Sequence, residues 1–166
     1  METKRVFKPS TTITEHPQVL HATAELIARV KRGRKWEHLG VIGRKSVTTA
    51  FVDAIVNALQ NSGDFELYKY HDSGTGTNVE AAADTALQTP TGEARDTGTQ
   101  IEGATANIYK SVAINTYAGS FAITEHGLFN LAAGGTLMDR SVFTALNVAS
   151  GDQIEFTYQL TCAAGG

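Results

Sequence analysis

The strictest pattern of apolar and polar positions lies in "DQIEFTYQLTC", residues 152–162. Ile154, Phe156, Tyr158, Leu160 and Cys162 fall on one face, and Gln153, Glu155, Thr157, Gln159 and Thr161 on the other. A period of two sustained over that length predicts an antiparallel strand with one face in the core and one in solvent. "NIYKSVAINTY" sets Ile108, Val112 and Ile114 on one face, and "RSVFTALNV" gathers Val142, Leu146 and Val148. "FELYKYH", residues 65–71, alternates in the same way, and "SFAITEHGLF", residues 120–129, reads as a buried strand interrupted by an acid and a histidine. The segments "AAGG" at 132–135 and "ASGD" at 149–152 carry hairpin-turn chemistry. Short strands joined by Gly-rich turns, with no helices between them, predict a mainly β body: antiparallel, β-sandwich or jelly-roll-like.

The first third of the chain has a different texture. In "KSVTTAFVDAIVNALQNSG", Phe51, Ile55 and Leu59 recur at i, i+4 and i+8 with Val52 and Val56 beside them, which predicts a helix over 47–61 with this stripe as its core face. Ser46 or Thr48 can cap its start, and Asn61 and Gly63 can end it. In "PQVLHATAELIARVKR", Leu20, Ala24, Ile27 and Val30 also follow helical spacing, Pro17 suits a first turn, and the basic residues gather at the far end where the dipole favours them. A second helix is therefore expected over 17–32. Residues 1–16 read as extended, Trp36 to Val41 as a short strand ending at Gly43, and 72–106 as a long loop region. The expected organisation is a basic N-terminal arm with a helix over 1–45 and a β-rich body over 46–166.

Charge sharpens that division. Residues 1–45 hold 10 Lys+Arg against 4 Asp+Glu, a balance of +6, whereas residues 46–166 hold 4 against 13, a balance of −9. The basic residues are densest in "RVKRGRK", residues 29–35. Such a patch can neutralise phosphates, but it is interleaved with one aromatic, Trp36, and matches no helix-turn-helix or zinc-finger spacing. Docking on an acidic protein surface, its own or a neighbour's, is the favoured reading, and nucleic acid is the minor one. The single cysteine excludes an internal disulfide, the "METKR" start lacks the apolar core of a signal peptide, and no apolar run approaches the roughly 20 residues that cross a bilayer. Synthesis in a reducing cytoplasm, with no membrane insertion, is expected.

Candidate chemistry centres on Glu125-His126. A metal site could combine them with His71 and Asp72, or with His16 and His38, but neither an HExxH pattern nor a cysteine pair is present. Adjacent strand residues also point to opposite faces. A structural role is favoured: Gly127 at positive φ making a bulge or turn, with Glu125 or His126 bonding local backbone or the basic arm, or pairing across the connection with Arg140 beside Asp139. "HDSGTGTN" has the glycines of a phosphate loop without its Lys-Ser/Thr, and nothing pairs a nucleophile with a base. Catalytic, metal and cofactor roles are therefore not expected. "ITEH" also occurs at residues 13–16, and four residues are too few to make a repeat.

The ordered set "YHDSGTGTNVEAAADTAL", "EARDTGTQIEGATANIY", "AITEHGLFN", "GGTLMDRSVF" and "NVASGDQIEFTYQLT" resembles a family of small tailed-bacteriophage virion structural proteins, over about residues 36–164. The resemblance implies a non-enzymatic virion component. One position is a capsid decoration or cement protein bound to the major capsid protein and to neighbouring copies of itself; the other is a tail, neck or tail-fibre attachment module. Cement fits the charge division better, because a fibre protein would show longer repeats or a heptad stalk. In that role Lys4, Arg5, Lys8, Arg29, Lys31, Arg32, Arg34 and Lys35 would pair with capsid carboxylates, with Phe7 and Trp36 as apolar anchors. Glu125, His126, Gly127, Asp139 and Arg140 would form a structural turn. Deleting residues 1–35 is then expected to abolish particle binding and leave the body folded.

Overall fold

The structure is a computed structural model that describes residues 20–45, 47–61 and 68–164. The chain runs β1 (Leu20–Arg32), β2 (Lys35–Lys45), α1 (Thr49–Asn61), β3 (Tyr70–Gly74), β4 (Asp96–Thr97), β5 (Thr99–Glu102), β6 (Ile108–Thr116), β7 (Phe121–Phe129), β8 (Leu137–Val148) and β9 (Gln153–Ala164). Two sheets face each other, one of five strands in the order β2-β1-β9-β6-β5 and one of four in the order β4-β3-β7-β8. Every pairing is antiparallel. This is the mainly β, antiparallel architecture that the alternating patterns predict.

The final strand behaves as its pattern requires: Ile154, Phe156, Tyr158 and Leu160 are buried, and Cys162 is half-buried against the same core. They meet Leu26 and Val30 from β1 and Ile123, Leu128, Met138 and Phe143 from the opposite sheet. Both Gly-rich segments lie between strands, with Gly134, Gly135 and Gly151 at positive φ.

Three expectations are corrected. The helix over 17–32 is instead strand β1, which pairs with β9 from Leu20 to Lys31 and with β2 on its other side. Ala24, Leu26, Ala28 and Val30 are buried and their odd-numbered neighbours are not, so the working period is two. The same segment also satisfies a helical spacing; two flanking strands that satisfy its backbone N–H and C=O groups decide between them. Residues 20–45 are thus a hairpin inside the five-stranded sheet, not an arm. Residues 1–19, with Lys4, Arg5, Phe7, Lys8 and the first "ITEH", lie outside the described residues.

The second correction concerns β6, whose apolar face points outward. Ser111, Ala113 and Asn115 are buried, whereas Ile114 is 41% exposed. The inner positions lie beside the bulky Tyr158, Phe156 and Ile154 of β9, which leaves room there for small side chains. The third concerns α1. Thr48 caps it, its Oγ1 accepting from the Phe51 N–H at 3.2 Å and donating to the Leu137 carbonyl at 2.5 Å. Phe51 is buried edge-on to Tyr68, with ring centroids 5.1 Å apart, but Leu59 is 81% exposed, so the predicted stripe is a core face only near its start.

Candidate functional site

Glu125 and His126 sit in the middle of β7 and point to opposite sides of the four-stranded sheet. Glu125 faces the long connection between β3 and β4 and has no solvent-accessible surface. Its carboxylate accepts the backbone N–H groups of Gly76 (3.0 Å), Gln88 (3.0 Å) and Thr89 (2.7 Å) and the Nε–H of Arg140 (2.7 Å). Arg140, itself 4% exposed, also donates to Asp84 Oδ2 at 3.0 Å and to the Asn78 carbonyl at 3.2 Å. Burial alone would push the Glu125 carboxyl up; the Thr89 N–H, Arg140 and the Gln88 N–H outweigh it and hold it below the usual carboxylate range. A Cβ on Gly74 or Gly76 would lie 2.5 Å from Glu125 Oε1. The glycines of "SGTGTN" thus let backbone close around a side-chain anion, in the manner of a phosphate loop turned inward.

This corrects the structural turn expected at Glu125–Gly127 and Asp139–Arg140. All five residues are in strands, and Gly127 pairs with Asp72 on one side and Arg140 on the other. Gly127 is absent from the positive-φ glycines. A Cβ there would come within 2.9 Å of Leu87 and Phe129, so its role is to admit Leu87 from the covering loop.

His126 faces the interior, where a polar row crosses the core. His126 Nε2 and His71 Nδ1 share a hydrogen bond at 2.9 Å, and His71 Nε2 and Ser111 Oγ share another at 2.8 Å. All three residues have no solvent-accessible surface. Burial pushes His71 down to about 3, and burial together with the neighbouring imidazole holds His126 well below the usual histidine range. Beside them Ser73 bonds the Tyr117 hydroxyl at 3.0 Å, and Ser141 donates to Asp139 at 2.8 Å. Burial pushes Asp139 up to about 6, against the Ser141 bond and the charge of Lys45. His126 Nδ1, Asp139 Oδ2 and the Tyr158 hydroxyl are buried with no hydrogen-bond partner.

Serine, imidazole and imidazole in line have the outline of a nucleophile with its base. A catalytic serine needs a face open to substrate and a third group that stabilises imidazolium, and here the serine is sealed and the third group is a neutral ring. The row's chemistry is to tie β3, β6 and β7 together across the core through the His126–His71–Ser111 hydrogen bonds, and so to fix their register. Among the described residues no group of three or more His, Cys, Asp and Glu side chains is placed to hold a metal ion. His38 lies apart, exposed on β2.

The basic residues 29–35 belong to the β1–β2 hairpin. Arg29 pairs with Glu155 at 2.5 Å and stacks 4.4 Å over Trp36, Lys31 donates to Gln153 at 3.2 Å, and Arg32 pairs with Glu37 at 3.0 Å. Arg34 and Lys35, at and beside the turn, are exposed and enter no ion pair among the described residues. The sheet thus neutralises part of the cluster on its own acidic strand and presents the rest at one corner. Sequence reasoning singled out Glu125, His126 and Arg140 but missed Ser111, Asp84 and the loop N–H groups, because contacts across 36 and more residues leave no local signal. No family model matches the chain, and no curated protein matches it in sequence.

Proposed function

We propose that this chain is a non-enzymatic structural protein of a tailed-phage particle, seated on the capsid as a decoration or cement protein that contacts the major capsid protein and neighbouring copies of itself. The observation that carries this reading is the corner of the β1–β2 hairpin, where Arg34 and Lys35 are exposed and enter no ion pair among the described residues, while Arg29, Arg32, Arg44 and Lys45 of the same hairpin are each paired. Cations held on a short turn between two long paired strands are fixed in direction, which suits a repeating acidic lattice better than a flexible tail would. The buried Glu125–Arg140 and His71–His126 groups support it from the other side: they hold shape and offer no substrate an entrance. Each exposed ion pair contributes only about 0–1 kcal/mol, so attachment strength has to come from many copies.

The test is to mix the purified protein, and an Arg34→Glu/Lys35→Glu variant, with empty shells and with isolated tails, and to image the particles. Density repeating over the shell with the native chain, and its loss with the variant at unchanged melting temperature, is the expected result. Density confined to the tail or neck moves the protein to the attachment class. Binding to neither particle overturns the virion reading.

A further inference from the structure

The polar row inside the sandwich ends among three atoms that the residues around them do not serve. His126 Nδ1, Asp139 Oδ2 and the Tyr158 hydroxyl are buried with no hydrogen-bond partner, and each belongs to a side chain with no solvent-accessible surface. A buried polar atom left without a partner costs about as much stability as the bond it forgoes. The ladders bring the three to one part of the core. On β7 and β8, Ser141 is the partner of His126, and Asp139, two residues away on the same face, accepts the Ser141 hydroxyl. On the facing sheet Tyr158 is the partner of Ser111, whose hydroxyl bonds His71 and through it His126. Burial, and after it the charge of Asp139, holds the Tyr158 hydroxyl well above the ordinary tyrosine range, so carboxylate and phenol lie near each other across the interior. None of the three atoms bonds another. Polar groups that face one another beyond bonding distance are where bridging molecules are held.

We propose that His126 Nδ1, Asp139 Oδ2 and Tyr158 Oη are the binding site of one internal water molecule, which continues the row from Ser111, His71 and His126 across to β8 and β9. The chemistry of the three selects water over an ion. The Asp139 carboxylate repels an anion. A metal ion would draw on His126 and Asp139, and among the described residues no three His, Cys, Asp or Glu side chains are placed to hold one. A water can donate to the carboxylate and either donate to or accept from the imidazole nitrogen and the phenol, which makes the three bonds usual for a buried water. Because its partners are sealed from solvent, it exchanges only when the sheets open, and it is therefore long-lived. The inference stands apart from the virion reading, and a protein that binds neither shell nor tail leaves it untouched.

Tyr158→Phe removes one oxygen and keeps the ring. The expected result is a lower urea midpoint than that of the native chain, with one long-lived water fewer in the magnetic relaxation dispersion of water oxygen. A hydroxyl that merely lacked a partner would give the other sign, because removing an unserved buried polar group raises the midpoint or leaves it in place; that outcome overturns the proposal. So does a lower midpoint with the water count unchanged, which would mean that the hydroxyl bonds Asp139 or His126 directly. Tyr109→Phe is the control: its hydroxyl donates to the Tyr68 carbonyl, so its loss lowers the midpoint and leaves the water count as it was. A crystal structure of the native chain that resolves solvent answers without any variant. Density within hydrogen-bond distance of all three atoms is expected, and its lack overturns the site.

Discussion

Glu125 carries four hydrogen bonds with no access to water, and that makes it the residue whose loss is felt furthest. Glu125→Ala strands three backbone N–H groups and leaves a buried guanidinium short of a partner, a change expected to cost about 3–5 kcal/mol. Urea denaturation measures the loss, and amide exchange at Gly76, Gln88 and Thr89 should accelerate at the same time. Glu125→Leu with Arg140→Met should cost less than the sum of the single changes, because neither charge is then left alone. The histidines set the pH response. Their folded pKa values lie below the ordinary histidine value of 6.5, so between 6.5 and the folded values the unfolded chain binds more protons and stability falls as the medium is acidified. His71, held down to about 3, contributes about 1.4 kcal/mol per pH unit through most of that window, and His126 acts in the same direction. Asp139 has the opposite sign: raised from 3.8 to about 6, it favours the folded state as pH falls through that interval and offsets one of the two. The net expectation is a loss of stability as the pH falls below 6.5, read from urea midpoints, and a flattened profile for His71→Asn/His126→Asn. A variant profile as steep as the native one would show that other groups govern acid stability.

At the scale of elements, the hairpin β1–β2 and the long connection after β3 matter most. Because β1 lies between β2 and β9, deleting residues 1–35 removes an interior strand and uncovers the ladder edge of β9. The truncated chain should lose cooperative unfolding, seen as a flat calorimetric trace, so it cannot serve as a folded body without its arm. Deleting only residues 1–19 leaves all nine strands and isolates what that segment adds. The connection over 75–95 has little secondary structure of its own and is held by side chains. Glu125 and Arg140 pin its first part, while Arg95 pairs with Asp72 at 3.1 Å, donates to the Leu131 and Gly134 carbonyls and lies over the Phe129 ring. Gly76→Ala puts a Cβ 2.5 Å from Glu125 Oε1 and 2.6 Å from Gln88 Cβ. A loss of about 1–3 kcal/mol is expected in thermal or urea melts, with faster exchange confined to this connection.

At the scale of the molecule, the division into a basic N-terminal part and an acidic remainder is real in sequence but does not correspond to two bodies over the described residues. Arg29 meets Glu155, Lys45 meets Glu80 and Arg44 meets Glu25. Arg29 and Lys45 spend their charge tying the hairpin to the acidic remainder, and at its turn Arg34 and Lys35 enter no ion pair among the described residues. Among the described residues no helix is long and apolar enough to cross a membrane.

Local patterning was enough for the mainly β class, the buried face of β9, the Gly-rich turns before β8 and β9, and a helix start capped by Ser46 or Thr48, of which the fold uses Thr48. Each rests on a local rule, an unambiguous period of two, a glycine at positive φ or a hydroxyl before a helical run. Tertiary structure decided what local rules left degenerate. Residues 20–32 carry apolar side chains at both helical and strand spacing, and only pairing with β2 and β9 selects the strand. The inward face of β6 was taken by Ser111, Ala113 and Asn115 because the opposing bulk of Tyr158 and His71 left no room for its isoleucines. Glu125 found Arg140 within one hairpin, a pairing the sequence could suggest, but its other partners lie 36 to 49 residues away in a connection whose path depends on the finished sheets. Periodicity reports which side of a strand is apolar; which neighbour that side meets is a property of the assembled fold.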